Sequence, residues 1–134
     1  MKRRVLLVED DPDDVEVTRM GLKDAGFEAE LSVAGDGAAA LAALEKAYAA
    51  GALPDVVVTD LRMPKVGGLE LLRRLRADAR FKALAVAVLT SSDDAGDRRS
   101  ALELGAALYL AKPLSLDGYE AIARQLETLT ASAA

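Results

Sequence analysis

The chain has 134 residues, near the commonest size for one domain with a full core, and with 51% apolar and 29% charged residues it reads as a globular protein. The absence of cysteine and histidine excludes disulfides, thiolate or imidazole metal ligands, a histidine base and a phosphohistidine of its own. A net charge of −5 argues against non-specific nucleic-acid binding, no apolar run approaches the roughly 20 residues of a membrane span, and the expected location is the cytoplasm.

The basic opening before Val5 resembles a secretion signal, but only four apolar residues, Val5 to Val8, follow before Glu9-Asp10-Asp11, which predicts a strand buried on both faces. Asp11-Pro12-Asp13-Asp14 then opens a helix to about Ala25, with Val17, Met20 and Gly21 facing inward and Gly26 closing it. Asp11, Asp13 and Asp14 read as caps of that helix. Glu28 to Ala34 alternates as a more exposed strand. Asp36-Gly37 opens a second helix with Ala38, Leu41, Leu44 and Tyr48 at helical spacing. Val56 to Thr59 is the third strand and Leu69 to Asp78 the third helix; Ala85 to Leu89 is the fourth strand and Ala95 to Leu104 the fourth helix. Leu108 to Ala111 is the fifth strand, Asp117 to about Thr130 the last helix, and residues 131–134 a frayed tail. The basic run from Arg73 to Lys82 reads as a solvated helix face. Five strand–helix pairs in alternation predict one α/β domain over 1–134, with a parallel sheet covered by helices on both faces.

The residues at the strand ends carry the chemistry. Asp60 ends the apolar third strand and precedes Leu61-Arg62-Met63-Pro64, so it lies at the carboxyl edge of the sheet, where open α/β sheets bind ligands. Glu9-Asp10 follows the first strand, Thr90 the fourth and Lys112-Pro113 the fifth. Singly these have ordinary explanations: a Thr suits a strand, Lys-Pro marks a turn, and acids feed a helix N-terminus. In this order and setting they point to an aspartate that accepts a phosphoryl group.

Glu9-Asp10, Asp60, Thr90, Tyr109 and Lys112-Pro113 together resemble the receiver domain of two-component response regulators, over nearly the whole chain from Val5 to about Leu129. The Glu-Asp-Asp-Pro start, Leu53-Pro54-Asp55 and the Thr90-Ser91-Ser92-Asp93 run are similar to the stand-alone regulators that partner bacterial phytochromes. The resemblance implies a flavodoxin-like, doubly wound five-stranded parallel sheet of order 2-1-3-4-5 with five helices. It also implies a phosphoryl group taken from a sensor histidine kinase, a bacteriophytochrome being the candidate.

Two like-charged reactants need a cation between them, and Mg²⁺ supplies one with a few carboxylates, waters and the phosphate as ligands. With the first and third strands adjacent, Asp10 and Asp60 end side by side and share the ion, while the longer Glu9 reaches it through water. The main-chain carbonyl of Arg62 is the ligand the resemblance adds. Lys112 brings a second positive charge to a phosphoryl oxygen, and a cis peptide before Pro113 would aim it inward. Thr90 donates its hydroxyl to the phosphoryl group, and the movement makes room for Tyr109 to turn inward, which is the switch the resemblance implies. In the family the positions of Arg62 and Ser92 tune how fast water removes the phosphate.

Only one helix follows Lys112-Pro113, so the expected output is a protein surface made of the fourth helix, fifth strand and fifth helix. Its mixed charges, with Leu108 and Leu110 if exposed, suit a homodimer. The chain is not expected to be an enzyme beyond its own aspartyl phosphorylation and slow autodephosphorylation. Alternatives are a phosphorelay intermediate, a phosphorylation-independent interaction module, or a phosphatase or mutase with Asp60 as nucleophile. The last would need a second acid two residues on, where Arg62 stands.

Overall fold

Val5 to Val8, Val56 to Thr59 and Val86 to Thr90 are buried on both faces, as expected of central parallel strands between two layers of helix. The computed structural model describes residues 2–131; of the predicted frayed tail, 132–134 lie outside the described residues. The elements run β1 (Arg3–Val8), α1 (Pro12–Asp24), β2 (Ala29–Ala34), α2 (Gly37–Ala49), β3 (Val56–Thr59), α3 (Gly68–Ala77), β4 (Val86–Thr90), α4 (Ala95–Glu103), β5 (Leu108–Ala111) and α5 (Tyr119–Leu129). A single 3₁₀ turn, Leu116–Gly118, leads into α5, so the last helix begins two residues later than its acid at Asp117 predicts. The five strands form one parallel sheet in the order β2-β1-β3-β4-β5, the flavodoxin-like arrangement expected.

Alternation along the strands divides the core. Leu6, Val8, Val57, Val86 and Val88 pack with Leu44, Leu71, Leu72, Leu75 and Ala101 of α2, α3 and α4. Val5, Leu7, Val56, Val58, Ala87 and Leu89 face Val15, Leu22, Tyr119, Ile122 and Leu126 of α1 and α5. Each fully buried leucine contributes about 1.5–3 kcal/mol relative to exposure, so α3, with Leu71, Leu72 and Leu75 all fully buried, is among the most firmly attached helices.

Two helices are phased differently from their hydrophobic pattern. On α1 the buried stripe is Val15, Thr18, Gly21 and Leu22, while Val17 and Met20 are 41% and 49% exposed. A threonine and a glycine occupy the inward face because α5 presses closely there. A Cβ on Gly21 would strike the Tyr119 ring, and the Thr18 and Tyr119 hydroxyls are 3.2 Å apart. On α2, Gly37, Ala40 and Leu44 are buried and Ala38 and Tyr48 are exposed, since the alanine-rich sequence offers little apolar contrast between faces. Tyr48 instead covers the edge of Phe81, with ring centroids 6.0 Å apart.

Leu110 is buried and Leu108 half-buried against the α5 side, which removes both strand leucines from the homodimer surface suggested for them. Arg76 also leaves the solvated face assigned to it. Its guanidinium donates to the carbonyls of Leu84 and Gly105, each at 2.8 Å, and so ties the end of α3 to the turns before β4 and β5. The neighbouring Arg73 and Arg74 pair with Glu70 on the surface, as expected.

Gly68 opens α3 against the end of β3, and a Cβ there would collide with the Asp60 carbonyl oxygen and come within 2.9 Å of the Leu61 Cα. Both are backbone atoms and cannot swing aside. Gly68→Ala is expected to lower stability by about 1–3 kcal/mol in urea unfolding. Gly35→Ala, with nothing within 4 Å of the added carbon, is the control expected to stay within about 0.5 kcal/mol of native.

Candidate functional site

The parallel register decides what meets at the carboxyl edge. Val8 pairs with Thr59 and Thr90 with Ala111, so the next residues along β1, β3 and β5 are Glu9, Asp60 and Lys112. Their main chains are fixed by the sheet: Asp60 N–H donates to the Val8 carbonyl at 3.0 Å and Lys112 N–H to the Thr90 carbonyl at 2.9 Å. Thr90 is itself the last residue of β4 and is buried.

Lys112 Nζ donates to Asp60 Oδ2 at 2.6 Å, Glu9 Oε1 at 2.7 Å and Asp14 Oδ2 at 2.8 Å, so all three ammonium hydrogens have a carboxylate. Asp60 Oδ1 accepts the Leu61 N–H at 2.6 Å. Glu9 and Asp60 are almost buried, at 6% and 8% exposure, whereas Asp10 points to solvent. The structure therefore brings Glu9 rather than Asp10 to the side of Asp60 and Lys112. The predicted cis bond before Pro113 is not formed, and no described peptide is cis. The trans form of an X–Pro bond is favoured by about 0.5–1 kcal/mol, and sheet and carboxylates already hold Lys112 at both ends.

Asp14 is the member that sequence reasoning missed. Asp11 alone caps α1, accepting from Asp13 N–H at 2.9 Å. Asp14 turns from the same first turn toward Lys112. The signal was an acid one helical turn after Asp10 on a helix that starts at the ligand edge, and only the position of β5 distinguishes it from a dipole-stabilising acid.

Charge and burial set the titration of this cluster. Burial raises the Glu9 carboxyl above its ordinary value, and contact with Lys112 offsets this only in part. Burial also acts on Asp60, but the Lys112 ammonium, the nearby Thr90 hydroxyl and the Leu61 N–H together hold its carboxyl below the ordinary range. For Lys112 burial opposes the charge, and Asp14, Asp60 and Glu9 overcome it and push the ammonium pKa up. At neutral pH Asp60 is an anion and Lys112 a cation.

Around the rim, Thr90 Oγ1 accepts the Ser92 N–H at 3.2 Å, and Tyr109 Oη donates to the Ser92 carbonyl at 3.2 Å. Tyr109 is half-buried, with the Arg98 guanidinium 5.7 Å from its ring centroid. Arg62 does not lean over Asp60; its exposed guanidinium donates to Asp97 at 3.2 Å.

The donor set suits a hard divalent cation. Carboxylate oxygens of Glu9 and Asp60 stand at this edge, with Asp10 next along the chain and exposed, and the chain has neither thiolate nor imidazole. Among the described residues no group of three acids stands as a preformed cage, because Glu9, Asp14 and Asp60 gather on an ammonium. Mg²⁺, which keeps several waters and needs only one or two carboxylates, is compatible with such an open arrangement.

Comparison with known proteins identifies the family. The response regulator receiver domain model matches residues 5–124. Response regulator Rre1 of Synechocystis sp. is 38% identical over 123 residues, covering 91% of this chain and 50% of that protein. The chain spans about half the length of the curated relatives it matches. Among solved structures, the phosphorylated cyanobacterial phytochrome response regulator RcpA is similar with a TM-score of 0.84 at 28% identity, over 100% of this chain and 97% of that one. The Mn(2+)-bound form of response regulator Rcp1 is similar with a TM-score of 0.79 at 30% identity, over 94% of this chain and 92% of that one. With a family match that runs from the first strand into the last helix, and a sheet edge that brings an aspartate and a lysine into contact, the chain belongs to the response regulator receiver domain family.

Proposed function

We propose that Asp60 is the phosphoacceptor of a two-component signalling step and takes its phosphoryl group from the phosphohistidine of a sensor histidine kinase. The observation that carries this is the 2.6 Å contact between Lys112 Nζ and Asp60 Oδ2, made by an almost buried aspartate at the sheet edge. The similarity to RcpA, a phytochrome response regulator, supports a phytochrome-type kinase as the donor.

In this reading a carboxylate oxygen of Asp60 forms the new O–P bond as the P–N bond to the donor imidazole breaks. The electron pair leaves with the nitrogen, which takes a proton from solvent. Asp60, held below the ordinary carboxyl range, is ionised and ready without a general base, which suits a chain that has no histidine. Lys112 stabilises charge on the transferring group as a fixed point charge, since its main chain is locked to Thr90. Asp60, Asp10, Glu9 through water and the Arg62 carbonyl would hold Mg²⁺. When bound, the ion supplies the charge screening that lets two anions approach. The solved Mn(2+)-bound form of Rcp1 supports a divalent ion in a related protein.

The Thr90 hydroxyl is the donor assigned to a phosphoryl oxygen. The same hydroxyl oxygen accepts the Ser92 N–H, so a movement of Thr90 toward the phosphoryl group pulls on Ser92, the residue whose carbonyl holds Tyr109. Thr90 and Tyr109 are thus the proposed switch, and α4, β5 and α5 the responding surface. The switch is a population shift: moving 1:99 to 99:1 takes about 5.5 kcal/mol of differential stabilisation, within reach of several charge-assisted contacts made in one state only. As a receiver domain the chain catalyses only its own phosphorylation and dephosphorylation. A multiple-turnover phosphatase is disfavoured because Arg62, two residues past Asp60, is paired with Asp97 and offers no acid. No described helix is long and apolar enough to cross a membrane.

Intact mass after incubation with acetyl phosphate is expected to rise by one phosphoryl group in the native protein with Mg²⁺, and not with chelator or in Asp60→Asn. Equal labelling of Asp60→Asn would remove the assignment.

Saturating Mg²⁺ is expected to raise the thermal midpoint by a few degrees at pH 7, in proportion to ln(1 + [L]/Kd). Asp10→Asn should blunt the rise; an unchanged native midpoint would argue against an ion at this edge.

Lys112→Met is expected to cost about 1–3 kcal/mol of stability at pH 7, because Glu9 and Asp60 lose the ammonium that pairs them. The pH dependence follows from the opposite shifts of the two acids. The lowered Asp60 stabilises the native fold above the unfolded carboxyl range, and that contribution is lost as pH falls through its folded value. The raised Glu9 favours its proton, so its penalty appears as pH rises through its folded value. The deficit of Lys112→Met relative to native should therefore shrink on acidification from pH 7 toward pH 4, as read by urea unfolding; a deficit independent of pH would contradict the charge-pairing role.

A further inference from the structure

Arg62 and Ser92 lie on the two loops that flank Asp60, after β3 and β4, and a single carboxylate joins them. Asp97 Oδ2 accepts from Arg62 Nη2 at 3.2 Å and from Ser92 Oγ at 2.8 Å. The capping of α4 does not require Asp97, since Asp94 accepts the N–H groups of Gly96 at 2.7 Å and Asp97 at 3.0 Å. Its carboxylate is therefore spent across loops rather than on its own helix. The same Ser92 presents its carbonyl to Tyr109, and Arg98, next to Asp97, lies over the Tyr109 ring. One side chain on α4 thus connects the loop carrying Arg62 to the loop that holds the tyrosine of β5.

We propose that Asp97 is a positioning residue of the phosphoryl site: it holds Arg62 against α4 in the unphosphorylated chain, and a phosphoryl group on Asp60 competes with it for the Arg62 guanidinium. The proposal rests on Asp60 being the phosphoacceptor. A phosphoryl group carries more charge and more acceptor oxygens than one carboxylate, and a guanidinium pairs with either by the same forked geometry. Arg62 is only two residues from Asp60 and its side chain is 74% exposed, so nothing packed has to move for the exchange. Once Arg62 leaves, Asp97 and Ser92 lose their tie to the loop after β3. The first turn of α4, beside Tyr109, is then released by the same charge that the phosphoryl group brings. Because the two contacts exclude one another, weakening the Arg62–Asp97 pair strengthens phosphoryl-state binding, by at most the factor by which the pair is weakened.

The test is titration calorimetry with beryllofluoride, a phosphoryl mimic, at saturating Mg²⁺, on the native protein, Asp97→Asn, Arg62→Ala and the double variant. Asn keeps the size of Asp97 and can still accept from Ser92, so Asp97→Asn removes mainly the charge opposite Arg62. The mimic is expected to bind Asp97→Asn about 2- to 5-fold tighter than native, the range of an exposed ion pair. The gain should diminish in about 1 M salt and vanish in the Arg62→Ala background. An unchanged affinity, or an equal gain with Arg62 absent, would overturn the role of Asp97 while leaving Asp60 as phosphoacceptor intact. If the native protein neither binds beryllofluoride nor gains phosphoryl mass, the phosphoacceptor reading fails and this proposal with it.

Discussion

The ammonium of Lys112, surrounded by the carboxylates of Glu9, Asp14 and Asp60, is the interaction on which the rest of the site depends. Three acids drawn together at a sheet edge repel one another, and two of them are nearly buried, where unpaired charge is costly. A single cation with three donors satisfies all of them at once. It can do so because the register ends β1 and β3 level and leaves Lys112 one residue past the Thr90–Ala111 pair. The parallel sheet thus supplies the positions, and charge balance supplies the reason for a lysine at the end of β5.

The same cluster accounts for a site that is held ready without being rigidly filled. A group that arrives with negative charge offers Lys112 a further acceptor, and a divalent ion offers the acids another cation. Either arrival redistributes partners within a fixed frame of backbone hydrogen bonds. The frame itself is stiff: the three central strands are buried on both faces, and Gly68 lets α3 start directly against the Asp60 carbonyl. The rim is softer. Arg62, Ser92 and Asp97 are joined by exposed or half-exposed contacts that salt and competing anions can disturb. A hard floor beneath a labile rim is the arrangement that the proposed switch would use, with α4 the element at the rim.

Much of this was legible in the chain before it was folded. Val5–Val8, with four consecutive apolar residues, and Val56–Thr59, with four consecutive β-branched ones, read as buried strands because they are too short for helices and are bounded by acids and turn residues. The acids and the lysine that follow the strands lie at one edge in any parallel α/β sheet. The inward face of α1 was not legible. Val17 and Met20 looked like the core stripe, but Thr18 and Gly21 are the residues α5 can approach, and no count of apolar residues reveals a close helix contact. Leu110 and Arg76 were misjudged for the same reason, since the burial of the one and the partners of the other are set by how neighbouring elements pack rather than by local pattern.

The order of residue types along the chain therefore determined the fold class and the sheet edge to which Asp60, Thr90 and Lys112 come. Those follow from local periodicity and from a topology in which every strand points the same way. The tertiary structure alone decided that Glu9 turns inward and Asp10 outward, that Asp14 joins Lys112 while Asp11 caps the helix, and that Arg62 is held by Asp97. Like-charged neighbours in sequence are chemically interchangeable until packing aims one of them at a partner. Which acid meets the lysine is set by the phase of a helix and the register of a strand, and both depend on contacts between residues about a hundred positions apart.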